Sequence, residues 1–197
     1  LEAFVLESHL KVDIKEVSEG IFFETNQYLL RSKELDHRIT CLGFSFEEKD
    51  KYKIVLTKAK KVGLNPGPLM STLQKGEKVI LKGKTINPND VTTFVKGKKL
   101  TYITDTALCK SCFELAKESD LLIAESTYDS KLENKAKEYK HLTATQAAKI
   151  ASKSKSKMLV LTHFSQRFKT TKPLVKEAKK IFKKTVAAKD FMVIKIN

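Results

Sequence analysis

The sequence predicts an α/β layer sandwich, and three observations lead there. Strand-like and helix-like segments alternate from Lys98 onward, the pattern of strands sharing one sheet with helices laid over it. The first quarter is instead a series of short β-rich runs separated by turn residues. Between these parts, Gly63-Leu64-Asn65-Pro66-Gly67-Pro68 breaks any regular element inside a basic stretch.

In chain order, residues 12–17, 21–24, 28–31 and 39–46 read as strands, with Ser18-Glu19-Gly20 and Thr25-Asn26-Gln27 as turns. Residues 47–53 are charged and 56–62 read as a short basic helix. The Pro-Gly-Pro core that follows suits either a long functional arm or an ordinary turn between surface strands. Residues 100–104 then read as a strand, 106–118 as a helix and 121–124 as a strand. Helices follow over 132–139 and 143–152, a strand over 158–162, a helix over 173–182 and a last strand over 191–196. Thr143 with Gln146 forms a capping box, and Pro173 sits where a helical first turn accepts proline. The first part adds a mixed or antiparallel sheet to this unit.

Composition narrows the function. Among 197 residues there are 38 Lys and Arg against 23 Asp and Glu, a formal charge of +15, with 41% hydrophobic residues. That hydrophobic share closes a core and excludes wholesale disorder. No apolar run reaches the roughly 20 residues a bilayer requires, and the start lacks the apolar segment of a signal peptide. The expected location is cytoplasmic. Three cysteines are too few for a disulfide scaffold. A surplus of this size favours a polyanionic partner, nucleic acid ahead of anionic membrane. Individual clusters, such as Lys153, Lys155 and Lys157, read as solvated surface.

Three strands end alike, in Tyr102-Ile103-Thr104-Asp105, Leu122-Ile123-Ala124-Glu125 and Val160-Leu161-Thr162-His163. Carboxyl ends of strands in open α/β sheets face a common crevice, so Asp105, Glu125 and His163 are expected to converge. Four histidines occur. His9, in an amphipathic stretch, reads as structural, whereas His37, His141 and His163 lie in polar loops. His37, Asp105 and His163 make a candidate zinc-type ligand set, nitrogen and carboxylate oxygen being the donors that zinc takes. Cys109-Lys110-Ser111-Cys112 has the spacing of a redox pair, although the same spacing serves core packing, the reading favoured here.

These residues together resemble the ribonuclease Z family, tRNA 3′-processing endonucleases of the metallo-β-lactamase superfamily. The resemblance is carried by Leu35-Asp36-His37 with Leu42-Gly43-Phe44, the 63–69 Gly-Pro segment, Thr104-Asp105-Thr106, Glu125-Ser126-Thr127-Tyr128, His141-Leu142-Thr143 and residues 161–168. It implies a partial αββα sandwich in which 1–53 and 87–197 form one domain and 54–86 a protruding tRNA-binding arm. It also implies His37, Asp105 and His163 as ligands of two zinc ions, with Asp105 bridging, and His141 acting near the scissile phosphate. Gly67 and Pro68 would belong to the arm, with Lys60 and Lys61 adding charge; Arg167 is a further phosphate candidate because its planar fork matches phosphate oxygens. Glu125 is placed to orient and charge His141 as a general acid.

Two departures accompany the resemblance. Ala124 stands where the family has a histidine before the glutamate, and the His-x-His-x-Asp-His signature is absent. The chain is therefore expected to correspond to a C-terminal portion, with Leu1 an internal position and an N-terminal half or partner chain completing a homodimeric enzyme. The expected activity is zinc-dependent removal of the 3′ trailer from precursor tRNA, the attacking water being activated by metal. Alternatives are a non-catalytic RNA-binding or partner subunit, a hydrolase acting on another phosphodiester or ester, and a redox protein using Cys109 and Cys112.

Overall fold

The computed structural model describes residues 14–196. The chain opens with an antiparallel meander of β1 (Gly20–Glu24), β2 (Tyr28–Leu35) and β3 (Cys41–Glu48). The first turn is tied by Thr25, whose hydroxyl oxygen accepts from the amides of Gln27 and Tyr28. A small module follows: β4 (Lys51–Ile54), α1 (Leu56–Lys61), α2 (Pro68–Gln74), β5 (Val79–Leu81), β6 (Lys84–Ile86), α3 (Pro88–Val91) and β7 (Thr92–Val95). The chain then alternates through β8 (Lys99–Ile103), α4 (Lys110–Leu115), β9 (Leu121–Glu125), a 3-10 turn at Ser130–Leu132, α5 (Glu133–Tyr139), α6 (Ala144–Lys153), β10 (Leu159–Thr162), α7 (Lys172–Ile181) and β11 (Thr185–Ala187).

Seven strands form one mixed sheet in the order β1-β2-β3-β8-β9-β10-β11. Its first half is antiparallel through the β3–β8 pairing; from β8 to β11 it is parallel, so each step needs a crossover. One sheet face carries Ile103, Leu122, Ala124, Leu159 and Leu161, all fully buried against Cys112 and Leu115 of α4, Ala147, Ile150 and Ala151 of α6, and Leu174 and Ala178 of α7. The opposite face is covered unevenly, with Val160 buried but its neighbours towards β3 partly open. In register across the strands stand Phe44, Tyr102, Ile123, Val160 and Val186, with Phe46 beside Leu30 and Leu100. Tyr102 is 39% exposed, and Phe44, Phe46, Leu100 and Ile123 are half-buried. Among the described residues the sandwich thus shows one helical layer and one sheet.

The small module has its own core of Ala59, Leu64, Leu73, Val79, Ile86 and Val91. Its stem is the antiparallel β4–β7 pair. At the exit, Gly97 passes so close to the Glu48 carbonyl that an added Cβ would lie 1.9 Å from that oxygen, so only glycine fits. The Gly-Pro segment joins two helices, not two strands, and Pro68 opens the second of them.

Three expectations are corrected. Residues 191–196 are not a strand: Phe191 takes a left-handed φ of 60° and is fully exposed, and β11 pairs with β10 in its place. The helix expected from residue 106 starts only at Lys110, because the preceding residues are bound elsewhere; the Thr106 amide donates to Glu125 and the Ala107 amide to the Asp36 carbonyl. Residues 14–17 are not a strand, and the rest of that run lies outside the described residues, as does His9. Among the described residues no helix is long and apolar enough to cross a membrane.

Candidate metal site

β8, β9 and β10 are parallel neighbours, and the residues at their carboxyl ends meet as their register requires: Asp105, Glu125 and His163. His163 Nε2 lies 3.3 Å from Asp105 Oδ1, and its Nδ1 lies 4.0 Å from Glu125 Oε2. Both Asp105 and His163 hold left-handed backbones, with φ of 43° and 53°. Asp and His tolerate this region better than most residues, and such strain gathers at functional sites.

Glu125 organises the site. It is fully buried, yet every lone-pair direction is engaged. Oε1 accepts from the Thr106 amide at 2.7 Å and from His141 Nδ1 at 3.0 Å; Oε2 accepts from the Thr127 hydroxyl at 2.6 Å and from the Thr127 amide at 3.4 Å. Because a carboxylate only accepts, the Thr127 proton points at Glu125. The hydroxyl oxygen therefore meets His163 Nδ1, 2.8 Å away, as an acceptor, and His163 carries its proton on Nδ1. His141 likewise donates from Nδ1. The hydrogen bond to Glu125, reinforced by its charge and by Asp105, holds the imidazole above the ordinary histidine pKa against the cost of burial.

His37 obeys the same rule by another route. Its Nδ1 lies 3.0 Å from the carbonyl of Lys140, which can only accept. Lys140 caps α5 in a left-handed conformation, and its Nζ pairs with Asp36 at 2.7 Å. Each of the three histidines thus keeps Nε2 free of its orienting partner. Their rings stand in a row, with centroids 5.1 Å apart for His37 and His141 and 5.3 Å for His141 and His163.

Donor atoms of Asp105, His141 and His163 lie within 4.8 Å of one another. Imidazole nitrogen plus carboxylate oxygen is a donor set that a divalent metal such as zinc accepts, and histidine ligands held through their second nitrogen are the usual arrangement. His37, expected in that group, stands outside it; His141, expected only as an acid, stands inside. The sequence reading also gave no role to Thr106, Thr127 or the Lys140 carbonyl. A threonine two residues after a strand-end glutamate was the available signal for Thr127. Arg167 holds its guanidinium 5.6 Å above the Tyr128 ring, with Nε on Ser165 Oγ at 3.1 Å, beside the His163 loop. Gly67, Pro68, Lys60 and Lys61 sit in the small module, on α1 and the start of α2, and both lysines are exposed.

The sheet with helices on one face and a His and Asp cluster at its parallel strand ends has the fold of metallo-β-lactamase proteins. The fold protein YhfI from Bacillus subtilis matches it at a TM-score of 0.54 with 17% identity, covering 85% of this chain and 49% of that one. The short form of human tRNase Z matches at a TM-score of 0.55 with 28% identity, covering 90% and 46%.

Within this class the chain is a homologue of ribonuclease Z. It is 39% identical over 191 residues to ribonuclease Z of Bacillus cereus (strain AH820), covering 93% of this chain and 62% of that protein. It is 39% identical over 184 residues to ribonuclease Z of Picosynechococcus sp., covering 89% and 58%. The chain therefore spans about three fifths of the length of the curated relatives it matches. No protein-family model matches the sequence.

Proposed function

We propose that the chain is the larger part of a tRNA 3′-processing endoribonuclease, holding zinc at Asp105 and His163 and cutting a phosphodiester of precursor tRNA. The observation that carries this reading is the Glu125 network, which fixes two histidines in one tautomer beside an aspartate in a ribonuclease Z homologue. Zinc, expected as two ions in the complete enzyme, supplies Lewis-acid polarisation of the phosphate and lowers the pKa of the attacking water. His37, whose Nδ1 is held by the Lys140 carbonyl, would offer its Nε2 as a further zinc ligand.

The chain's own residues supply the rest. His141, held above its usual pKa by Glu125, keeps a proton on Nε2 for the departing 3′ oxygen, and Glu125 neutralises the imidazolium while that proton waits. Arg167, braced over Tyr128, meets a neighbouring phosphate. Residues 54–86, the protruding arm in this reading, lie within the small module. Its nine lysines against two acidic residues, all exposed, give a surface suited to the folded RNA backbone. Gly67 and Pro68 shape its turn, with Lys60 and Lys61 beside it.

The apolar sheet face of Phe44, Phe46, Leu100 and Tyr102 takes a second sheet from an N-terminal half or partner chain, which brings the remaining ligands. The completed enzyme is a homodimer. The test is metal analysis and precursor tRNA cleavage by the chain alone and with that half supplied. Cleavage only by the two together supports the reading; tight zinc with full activity in this chain alone overturns it. His141→Ala should lower turnover and leave zinc content intact. An equal loss of zinc would make His141 a ligand.

A further inference from the structure

Cys109 and Cys112 take no part in the reaction proposed above, yet their placement is unlike that of packing residues alone. Their sulfurs are 3.5 Å apart. Cys112 is wholly buried in the sheet–helix core, while Cys109 is half-buried at the core's edge. The Cys109 thiol is brought down to about 5, first by the hydrogen bond from Cys112 and then, against burial, by the backbone of Cys112 and Asp36 and the Thr106 hydroxyl. The same hydrogen bond and burial push Cys112 up. One sulfur is thus the nucleophile and the other its resolving partner. Cys41, by contrast, is raised by burial and by the charges of Asp105 and Glu125, and its Sγ–H donates to the Thr104 carbonyl at 3.5 Å.

The pair is also joined to the site. The Thr106 hydroxyl lies 3.8 Å from Cys109 Sγ, and Cys112 Sγ reaches the Ala107 carbonyl at 3.9 Å. Thr106 is the residue after Asp105, and its amide holds Glu125.

We propose that Cys109 and Cys112 form a redox-modifiable pair that a hydroperoxide closes to a disulfide, and that this closure alters the segment carrying Asp105. The Cys109 thiolate attacks the peroxide oxygen, forming an S–O bond, breaking the O–O bond and releasing one water or alcohol after protonation. Cys112 then attacks the resulting sulfenic acid, forming the S–S bond and expelling water. Two thiols lose two electrons and the peroxide gains them. Closure brings the sulfurs to about 2.0 Å, which removes the Cys112 proton from between them and shifts Cys109 against Thr106 and Cys112 against the Ala107 carbonyl.

The test uses the full chain, hydrogen peroxide and no activity assay, so its failure is distinct from failure of the endonuclease reading. After peroxide, denaturation and alkylation, peptide masses should show a Cys109–Cys112 disulfide with Cys41 alkylated. Before peroxide, iodoacetamide should modify Cys109 about tenfold faster than Cys41. Cys112→Ser should stop at the Cys109 sulfenic acid and be trapped by dimedone. Two free thiols at 109 and 112 after peroxide, a disulfide through Cys41 or no dimedone adduct overturns the pair. Amide hydrogen exchange at Thr106 and Ala107 should change at least about twofold on closure; unchanged exchange overturns the coupling to Asp105.

Discussion

The large sheet and the Lys51–Val95 module are built on opposite terms. In the large sheet, buried polar groups are spent on one another: Glu125 alone orders His141, Thr127 and, through it, His163. Some of its surface cations are paired, as with Lys33 between Glu19 and Glu114, or Lys157 on Asp120. In the module every one of the nine lysines is exposed, and none forms an ion pair among the described residues. Its core is six buried side chains, with Ile80 72% and Phe94 54% exposed. The difference teaches a division of labour: one region fixes atoms at hydrogen-bond precision, the other presents charge whose attraction needs no fixed rotamer.

The largest expected effect asks whether the two regions are separate folding units. Leu161→Ala and Leu73→Ala each empty a fully buried site, at a cost of about 2 to 5 kcal/mol. Chemical denaturation with hydrogen exchange should show Leu161→Ala melting the site along with the sheet, and Leu73→Ala loosening only residues 51–95. Global loss from Leu73→Ala would merge the two regions.

Next comes Glu125→Gln, which keeps the shape but turns one acceptor into a donor, at about 1 to 3 kcal/mol. The raised pKa of His141 sets the sign of its pH dependence. The ion pair contributes fully below the unfolded histidine value of about 6.5 and is lost as pH rises through the raised folded value. The substitution should therefore cost more near about pH 5.5 than near about pH 8.5 and lower the His141 titration midpoint, both readable by denaturation and by NMR.

A smaller effect separates tautomer control from packing. Thr127→Val removes the hydroxyl between His163 and Glu125, and zinc affinity measured by competition should fall about tenfold, with unfolding midpoints in the module unmoved. The smallest effect lies in the module. Replacing Lys58, Lys60 and Lys61 by Gln should flatten the log–log salt dependence of tRNA binding by about 0.9 for each lysine that meets a phosphate, a coefficient measured on B-DNA. The His141 titration should not move.

How much of this was legible in the sequence follows from what kind of signal each feature leaves. Parallel strands ending in Asp105, Glu125 and His163 are visible because strand period and chain order are local properties. So is the capping box at Thr143, present as expected. The Thr106 amide on Glu125 and the Lys140 carbonyl on His37 left no signal, since backbone groups look alike in any sequence and only tertiary folding brings them to the site. The same holds for α4, whose late start depends on the carbonyl of Asp36, far earlier in the chain, which holds the Ala107 amide. The misplaced last strand has a local cause instead: residues 191–196 are apolar and strand-like, but the edge of β10 is already taken by Thr185–Ala187.

A backbone carbonyl, a carboxylate and a hydroxyl fix His37, His141 and His163, in that order, each with the proton on Nδ1. Long-range nitrogen–proton NMR spectra, recorded above the His141 titration, read this directly. The expected result is Nδ1–H with an unprotonated Nε2 for His37, His141 and His163, and loss of that preference for His141 in Glu125→Gln. An Nε2–H tautomer at His141 or His163 in the unaltered chain would contradict it.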